Sequence, residues 1–352
     1  MNIKEAIAKV VGHASLIQTE MEQVMEEIMT GVATPAQVAA FITALRMKGE
    51  TVAEITGAAR VMRKQATRVE VEFESSPNPE IIPNTLPDIL VDTCGTGGDG
   101  SHTFNISTAT ALVVAAAGLK VAKHGNRSVS SLCGSADVLQ ALGVNLDLTA
   151  AQVAASIRQI GIGFLFAPLL HGAMRYAIGP RREIGIRTIF NLLGPLTNPA
   201  GANVQLLGVY DSALTRTLAA VLAGLGENRA MVVHGAGGLD ELSLAGANHI
   251  AWLKGGTIEE LVLKPADAGL DEAPLSALRG GDAQANAALF RELLAGEKGP
   301  RRDIVLLNSA AVFVVAERAA DFHQGVELAA ATIDSGSARQ KLEELIQFSN
   351  AL

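Results

Sequence analysis

Cysteine, aromatic side chains and positive charge are all scarce in this chain, and each scarcity removes a class of function. The two cysteines, Cys94 and Cys133, provide neither a disulfide framework nor a four-ligand zinc pattern, so both read as small buried groups suited to a reducing compartment. Aromatics make up 4% of the residues, too few for nucleobase stacking or a membrane-interface belt. The net charge of -8 leaves no broad positive surface of the kind a nucleic-acid carrier needs. Long hydrophobic runs are missing too. The first twenty residues hold no uninterrupted signal-like apolar core, and the longest apolar stretch, near Ala109 to Ala117, is too short to span a bilayer. The expectation is a cytoplasmic protein with neither a membrane nor a nucleic-acid partner, in which any anion is held locally.

What is present is a large apolar fraction, 49% of 352 residues, enough for two domains or for one large domain with an appendage. The first part reads as helices. Thr34-Pro35-Ala36-Gln37 is a capping box with proline at the first helical position, Val38, Phe41, Ile42 and Leu45 form one apolar face, and Gly49 ends the element. Thr51 and Glu54 open the next helix in the same way. Pro77, Pro79, Pro83 and Pro87 then break every helical pattern, so the expected organisation is a helical domain over 1–73, an extended connector over 74–88 and an α/β domain over 89–352.

Within that last part, short apolar runs alternate with Ala/Leu-rich helical patterns. Ile89 to Val91, Lys120 to Ala122, Gly163 to Leu165, Gln205 to Val209 and Ala230 to Val233 are the expected strands. The Arg- and Gly-rich segment 167–193 interrupts the rhythm and is expected to pack, in part, against the helical domain.

Chemistry concentrates at three strand ends. After Val91 the chain reads DTCGTGGDGSHTFNIST, with Gly95, Gly97, Gly98 and Gly100 baring backbone N–H groups able to cradle phosphate. A tight turn without a ligand is the alternative. The spacing also satisfies the dinucleotide GxGxxG, but about 20 residues on, where that fold wants an acid, stand Lys120, Lys123 and His124. A phosphate-binding P-loop fails as well, for want of Gly-Lys-Ser/Thr. The second strand end carries Lys123-His124-Gly125-Asn126-Arg127-Ser128, either charge for a phosphate or a solvated basic turn. At the third, His234-Gly235-Ala236-Gly237-Gly238-Leu239 leads into Asp240-Glu241, two hard oxygen donors of the kind magnesium uses, or an acid pair opening a helix and serving its dipole. Finally His171, Arg175, Arg181, Arg182 and Arg187 crowd cations into one segment. A subset facing a crevice would grip a carboxylate, and the rest are solvated.

Taken in order, GTGGD at 95–99, NIST at 105–108, KHGNR at 123–127, HGAMR at 171–175, GIRTIFNLLGPLTNP at 185–199 and GLDE at 238–241 resemble the anthranilate phosphoribosyltransferase family. The resemblance covers most of the chain. It implies a small N-terminal helical domain and a large α/β domain with a central, mostly parallel sheet, of the class shared with pyrimidine nucleoside phosphorylases. It implies transfer of the phosphoribosyl group of phosphoribosyl pyrophosphate (PRPP) to the amine of anthranilate, in tryptophan biosynthesis, by a homodimer joined through the helical domain. By motif, PRPP would be held by Gly95, Gly97, Gly98, Asp99, Thr103, Asn105, Ser107, Thr108, Lys123 and Ser135. Anthranilate would face Gly95, His124, Asn126, His171 and Arg181, with Arg182 the adjacent alternative for the carboxylate clamp. Ser107, Asp240 and Glu241 would bind Mg2+, two ions per subunit. Gly172 departs from the proline that relatives often carry after this histidine. Two other readings stand beside this one. A pyrimidine nucleoside phosphorylase has a loop resembling Lys-His-Ser-Thr-Gly-Gly where this chain has Asp92 to Gly97, and a non-catalytic nucleic-acid-binding relative wants a positive face and has no need of the acid pair.

Overall fold

The computed structural model describes residues 1–72, 89–128 and 132–351; the connector expected over 74–88 lies outside the described residues. The N-terminal part is made of α1 (Ile3–Val11), α2 (Gln18–Met29), α3 (Pro35–Lys48) and α4 (Val52–Gln65). Their starts have local causes. Thr34 and Thr51 accept hydrogen bonds from the backbone of Gln37 and Glu54, whose side chains reach back to the caps, and Pro35 fills the first position of α3. Asn2 and Glu5 form a further box at α1 that the sequence pattern did not bring out.

Seven strands make one sheet in the order β3-β2-β1-β4-β5-β6-β7: β1 (Leu90–Gly95), β2 (Lys120–Gly125), β3 (Ile162–Phe166), β4 (Val204–Gly208), β5 (Arg229–His234), β6 (Asn248–Lys254) and β7 (Thr257–Leu263). The first five pair in parallel, and β6 and β7 add an antiparallel hairpin. All five expected strands exist, but β1 runs on to Gly95 and β2 to Gly125. The first glycine of the loop and the Lys123-His124 pair therefore belong to strands, not to the turns after them. The helices of this part are α5 (Ile106–Ala116), α6 (Ser135–Leu142), α7 (Ala150–Ile160), α8 (Ala167–Leu170), α9 (Arg175–Ile184), α10 (Ile189–Leu193), α11 (Leu214–Gly224), α12 (Ala283–Leu294), α13 (Pro300–Val315), α14 (Phe322–Asp334) and α15 (Ser337–Asn350). No helix among the described residues is long and apolar enough to cross a membrane.

Strand alternation sorts side chains into two cores. Met231 and Val233 join α5, α12, α13 and α15 on one face, whereas Ala230 and Val232 face α11 and the N-terminal helices on the other. Ala177 of α9 and Ile189, Phe190, Leu192 and Leu193 of α10 are buried in that second core as well. Each fully buried Leu or Val is worth roughly 1.5–3 kcal/mol relative to exposure, so helical bundle and sheet share one hydrophobic body.

The sheet order reverses between β1 and β4. From β1 the chain winds outward through β2 and β3, then returns to place β4 on β1's other side and continues through β5. A crevice opens where such neighbouring connections diverge, beyond the carboxyl ends of the strands. Gly95 and Gly208, paired in register across β1 and β4, mark its floor.

Candidate active site

Two glycines let a third segment reach that floor. A Cβ on Gly208 would run into the Asp240 carbonyl oxygen, and one on Gly95 would run into Asp240 Oδ2, so neither position tolerates a side chain while Asp240 is docked. The docked carboxylate takes a loop amide: Gly97 N–H donates to Asp240 Oδ2 at 2.7 Å. Gly97, Gly98 and Gly100 all have φ between 71° and 75°, the left-handed region that turns successive N–H groups outward. Asp99 hydrogen-bonds Ser101 through both carboxylate oxygens and accepts from Asp240 N–H at 3.4 Å. Arg187 donates to the Gly98 carbonyl while its guanidinium lies 4.2 Å from the Tyr210 ring centroid.

Glu241, buried, points at the start of α5. Its Oε1 accepts from Ser107 N–H at 3.1 Å, and Thr93 Oγ1 fixes the Ser107 carbonyl at 2.8 Å. The structure corrects one reading of the acid pair. No helix opens at Asp240, since residues 240–247 form an irregular return to β6; the dipole that Glu241 meets is that of α5. Burial, then the proximity of Asp99, raises Asp240 to about 7. Burial, then Asp240, raises Glu241 to about 8, with Lys123 pulling the other way. Three acids thus share a region that holds one buried ammonium, Lys123, whose Nζ also donates to the His124 carbonyl at 3.0 Å. Such a set of uncompensated hard oxygens fits a divalent cation of the magnesium type. Among the described residues no three His, Cys, Asp or Glu side chains are already gathered around one point, so the remaining ligands would be water and substrate oxygens.

A second cluster lies at the ends of β2 and β3. His124 Nε2 and His171 Nε2 are 3.2 Å apart, with ring centroids at 5.1 Å. Burial, then the facing His171, lowers His124 to about 3, and burial lowers His171 to about 4, so both rings are neutral at pH 7. One short 3-10 turn leads from His171 into α9, which carries Arg181. Its guanidinium lies 5.2 Å from the Phe190 ring centroid, and burial disfavours its charge. It has no acidic partner among the described residues. Arg182 beside it is exposed. Asn126 follows Gly125, and its carbonyl accepts from Ser135 Oγ at 3.3 Å.

Gly95, Gly97, Gly98, Asp99, Ser107, Lys123, Asp240 and Glu241 are thereby brought to one crevice. Three other expected PRPP ligands have different surroundings. Thr103 forms an isolated bridge with Arg279. The Asn105 side chain is held by the Cys133 carbonyl and by Asn286. Thr108 is buried, and its hydroxyl finds no partner among the described residues. The sequence reading also missed Asp92, fully buried on β1, which accepts from His124 N–H at 3.1 Å and Asn198 Nδ2 at 2.8 Å. An aspartate inside an otherwise apolar strand was the available signal.

Comparison with known proteins bears on this geometry. Residues 87–339 match the glycosyl transferase family a/b domain, and residues 4–66 match the helical bundle domain of the same family. The chain is 57% identical over 348 residues to an anthranilate phosphoribosyltransferase from Geotalea uraniireducens, covering 99% of both. Its fold is similar to that of the anthranilate phosphoribosyltransferase from Thermus thermophilus, at a TM-score of 0.89 and 43% identity over 98% of this chain and 99% of that one. The Saccharomyces cerevisiae enzyme, solved in complex with PRPP and Mg, gives the same TM-score of 0.89 at 27% identity over 99% of this chain and 98% of that one.

Proposed function

Because the chain belongs to the anthranilate phosphoribosyltransferase family, we propose that the crevice between β1 and β4 is where it carries out that family's reaction. The enzyme is a phosphoribosyltransferase of tryptophan biosynthesis. The amine of anthranilate forms a bond to C1 of the ribose, the bond from C1 to pyrophosphate oxygen breaks, pyrophosphate leaves with that electron pair, and the amine gives up one proton.

The observation that carries this reading is the convergence of Gly97, Ser107, Lys123, Asp240 and Glu241 from three strand ends. Charge decides how they divide the work. Positive character grows on the ribose and negative charge on the leaving group, so acceleration comes from neutralising pyrophosphate and aligning the amine more than from activating a nucleophile. The loop amides of Gly98 and Gly100 and the Lys123 ammonium take pyrophosphate oxygens, while the Gly97 amide holds Asp240 beside them. When bound, on Asp240, Glu241 and Ser107, magnesium supplies the rest of that neutralisation.

Anthranilate, an aromatic amine already neutral at pH 7, needs no strong base. Arg181 takes its carboxylate, a role favoured over Arg182 by half-burial without a counter-ion. The neutral His124 and His171 border its ring and amine together with Gly95 and Asn126. Thr103, Asn105, Thr108 and Ser135 complete the PRPP set in this reading, the middle two through the first turn of α5.

The same reading carries two magnesium ions per subunit, a cytoplasmic location and a homodimer through the helical domain, where Val32 and Met47 are 70% and 78% exposed. It divides the chain at 1–73, 74–88 and 89–352. The test mixes the protein with magnesium, PRPP and anthranilate and follows the loss of anthranilate fluorescence. A flat trace from folded protein would contradict it.

A further inference from the structure

A cavity of about 360 Å3 opens at the opposite end of the sheet, between the start of β5, the end of β6, the C-terminal end of α13 and the turn into α14. Arg229, Trp252, Lys254, Glu317, Arg318 and Gln324 line it. We propose that it is a second ligand site, which takes a small aromatic carboxylate.

Charge is the first argument. The chain as a whole is acidic, at -8, yet this cavity gathers three cations against one acid. Lys254 and Arg318 have no acidic partner among the described residues, and Arg229 reaches only Glu317, at 3.7 Å. That distance is longer than a charge-assisted hydrogen bond. The second argument is the flat apolar wall. Trp252 is partly buried with the Lys254 ammonium over its ring, 5.1 Å from the centroid, so a carboxylate that draws the ammonium to itself uncovers the indole for the aromatic ring it carries. The volume lies within the roughly 300–1,000 Å3 common for small-molecule pockets.

Glu317 supplies the third argument. It follows the end of α13 at φ 57°, a left-handed position where helices usually place glycine because a side chain is strained there. The strained residue presents its carboxylate to Arg229, at a distance that leaves the guanidinium open to a better-fitting carboxylate. Glu317 is thus the internal stand-in for the ligand.

The single tryptophan of the chain is Trp252, so indole fluorescence reports on this cavity alone. Benzoate titrated into the full-length protein should give a saturable change, with the same midpoint in the Arg181→Ala variant. Arg318→Ala should weaken it about tenfold, the effect of losing a charged hydrogen bond, while leaving phosphoribosyl transfer unchanged. Glu317→Gln should tighten it several-fold by removing the competing carboxylate. The proposal is overturned if benzoate gives no saturable change, if Arg181→Ala abolishes the response, or if inorganic phosphate reproduces it with the same midpoint, since a plain charge site needs no aromatic wall.

Discussion

Among the places where this molecule buries carboxylates, the helical bundle and the crevice treat them in opposite ways. In the helical bundle, Glu54 is wholly buried, and it accepts from Leu16 N–H at 2.9 Å, Thr51 N–H at 2.8 Å and the Lys48 ammonium at 2.9 Å. In the crevice, Asp240 has the Gly97 loop amide and Glu241 the Ser107 amide in the first turn of α5, and their nearest charged neighbours include each other and Asp99. The first carboxylate is finished by its own chain and serves the fold. The second pair is left short of positive charge, and a folded protein keeps such an arrangement where a ligand completes it.

That contrast makes opposite demands on stability and turnover. The largest effect belongs to the crevice: Asp240→Asn combined with Glu241→Gln should cut kcat by about 1000-fold or more, as loss of several kcal/mol of leaving-group neutralisation requires. The metal-free variant should nevertheless be more stable than the parent at pH 8. Both carboxyls have folded pKa values, about 7 and about 8, above their ordinary values of 3.8 and 4.5, so ionising them opposes folding as pH rises through that window. Denaturant melts at pH 4 and pH 8 check this, and a variant less stable at pH 8 would erase the distinction.

Next comes the bundle. Lys48→Met leaves Glu54 buried without its cation and should cost about 3–5 kcal/mol in denaturant unfolding, with kcat per folded molecule unchanged. A loss of turnover beyond the loss of folded protein would place the bundle in the chemistry. Smaller again, Arg181→Ala should weaken anthranilate by about 1.5–3 kcal/mol, the worth of a charged hydrogen bond, and leave the KM for PRPP nearly untouched. Equal losses for both substrates would deny it the clamp.

At neutral pH the smallest effect concerns the histidine pair, intermediate between the two cases because it is buried and neutral. The folded values of about 3 and about 4 lie below the ordinary 6.5. The stability that goes with neutral rings is therefore complete above about pH 6.5 and is lost as pH falls through about 4 and about 3. His171→Gln should flatten that slope without moving the high-pH melting temperature much, and an unchanged slope would show that other groups govern acid unfolding.

Much of the scaffold was legible because its causes are local. The boxes of Thr34 with Gln37 and Thr51 with Glu54 each lie within a single helical turn of sequence, and the glycine loop carries its conformation in its composition. Not all of what closes each buried site was local. Lys48, six residues before Glu54, reaches it across the turn between α3 and α4, but Leu16 meets Glu54 from 38 residues away and Gly97 meets Asp240 from 143, so nothing near either acid foretells those contacts. The alternative that Asp240 and Glu241 open a helix rested on adjacent acids alone; the helix whose dipole Glu241 meets begins at Ile106. The β6–β7 hairpin was overlooked for a different reason. β7 is mostly exposed and carries Glu259 and Glu260, so its apolar signal is weak, although Gly255-Gly256 between two strand-length runs is a hairpin signature.

The central claim is that the crevice holds an unfinished acid pair which substrate and divalent ion complete together. Calorimetric titration of Mg2+ into the protein, with and without PRPP, tests it most directly. Weak binding to the protein alone and at least tenfold tighter binding with PRPP present, both lost in the Asp240→Asn, Glu241→Gln variant, is the predicted result. Binding of equal strength with and without PRPP, or binding that survives removal of both carboxylates, would contradict it.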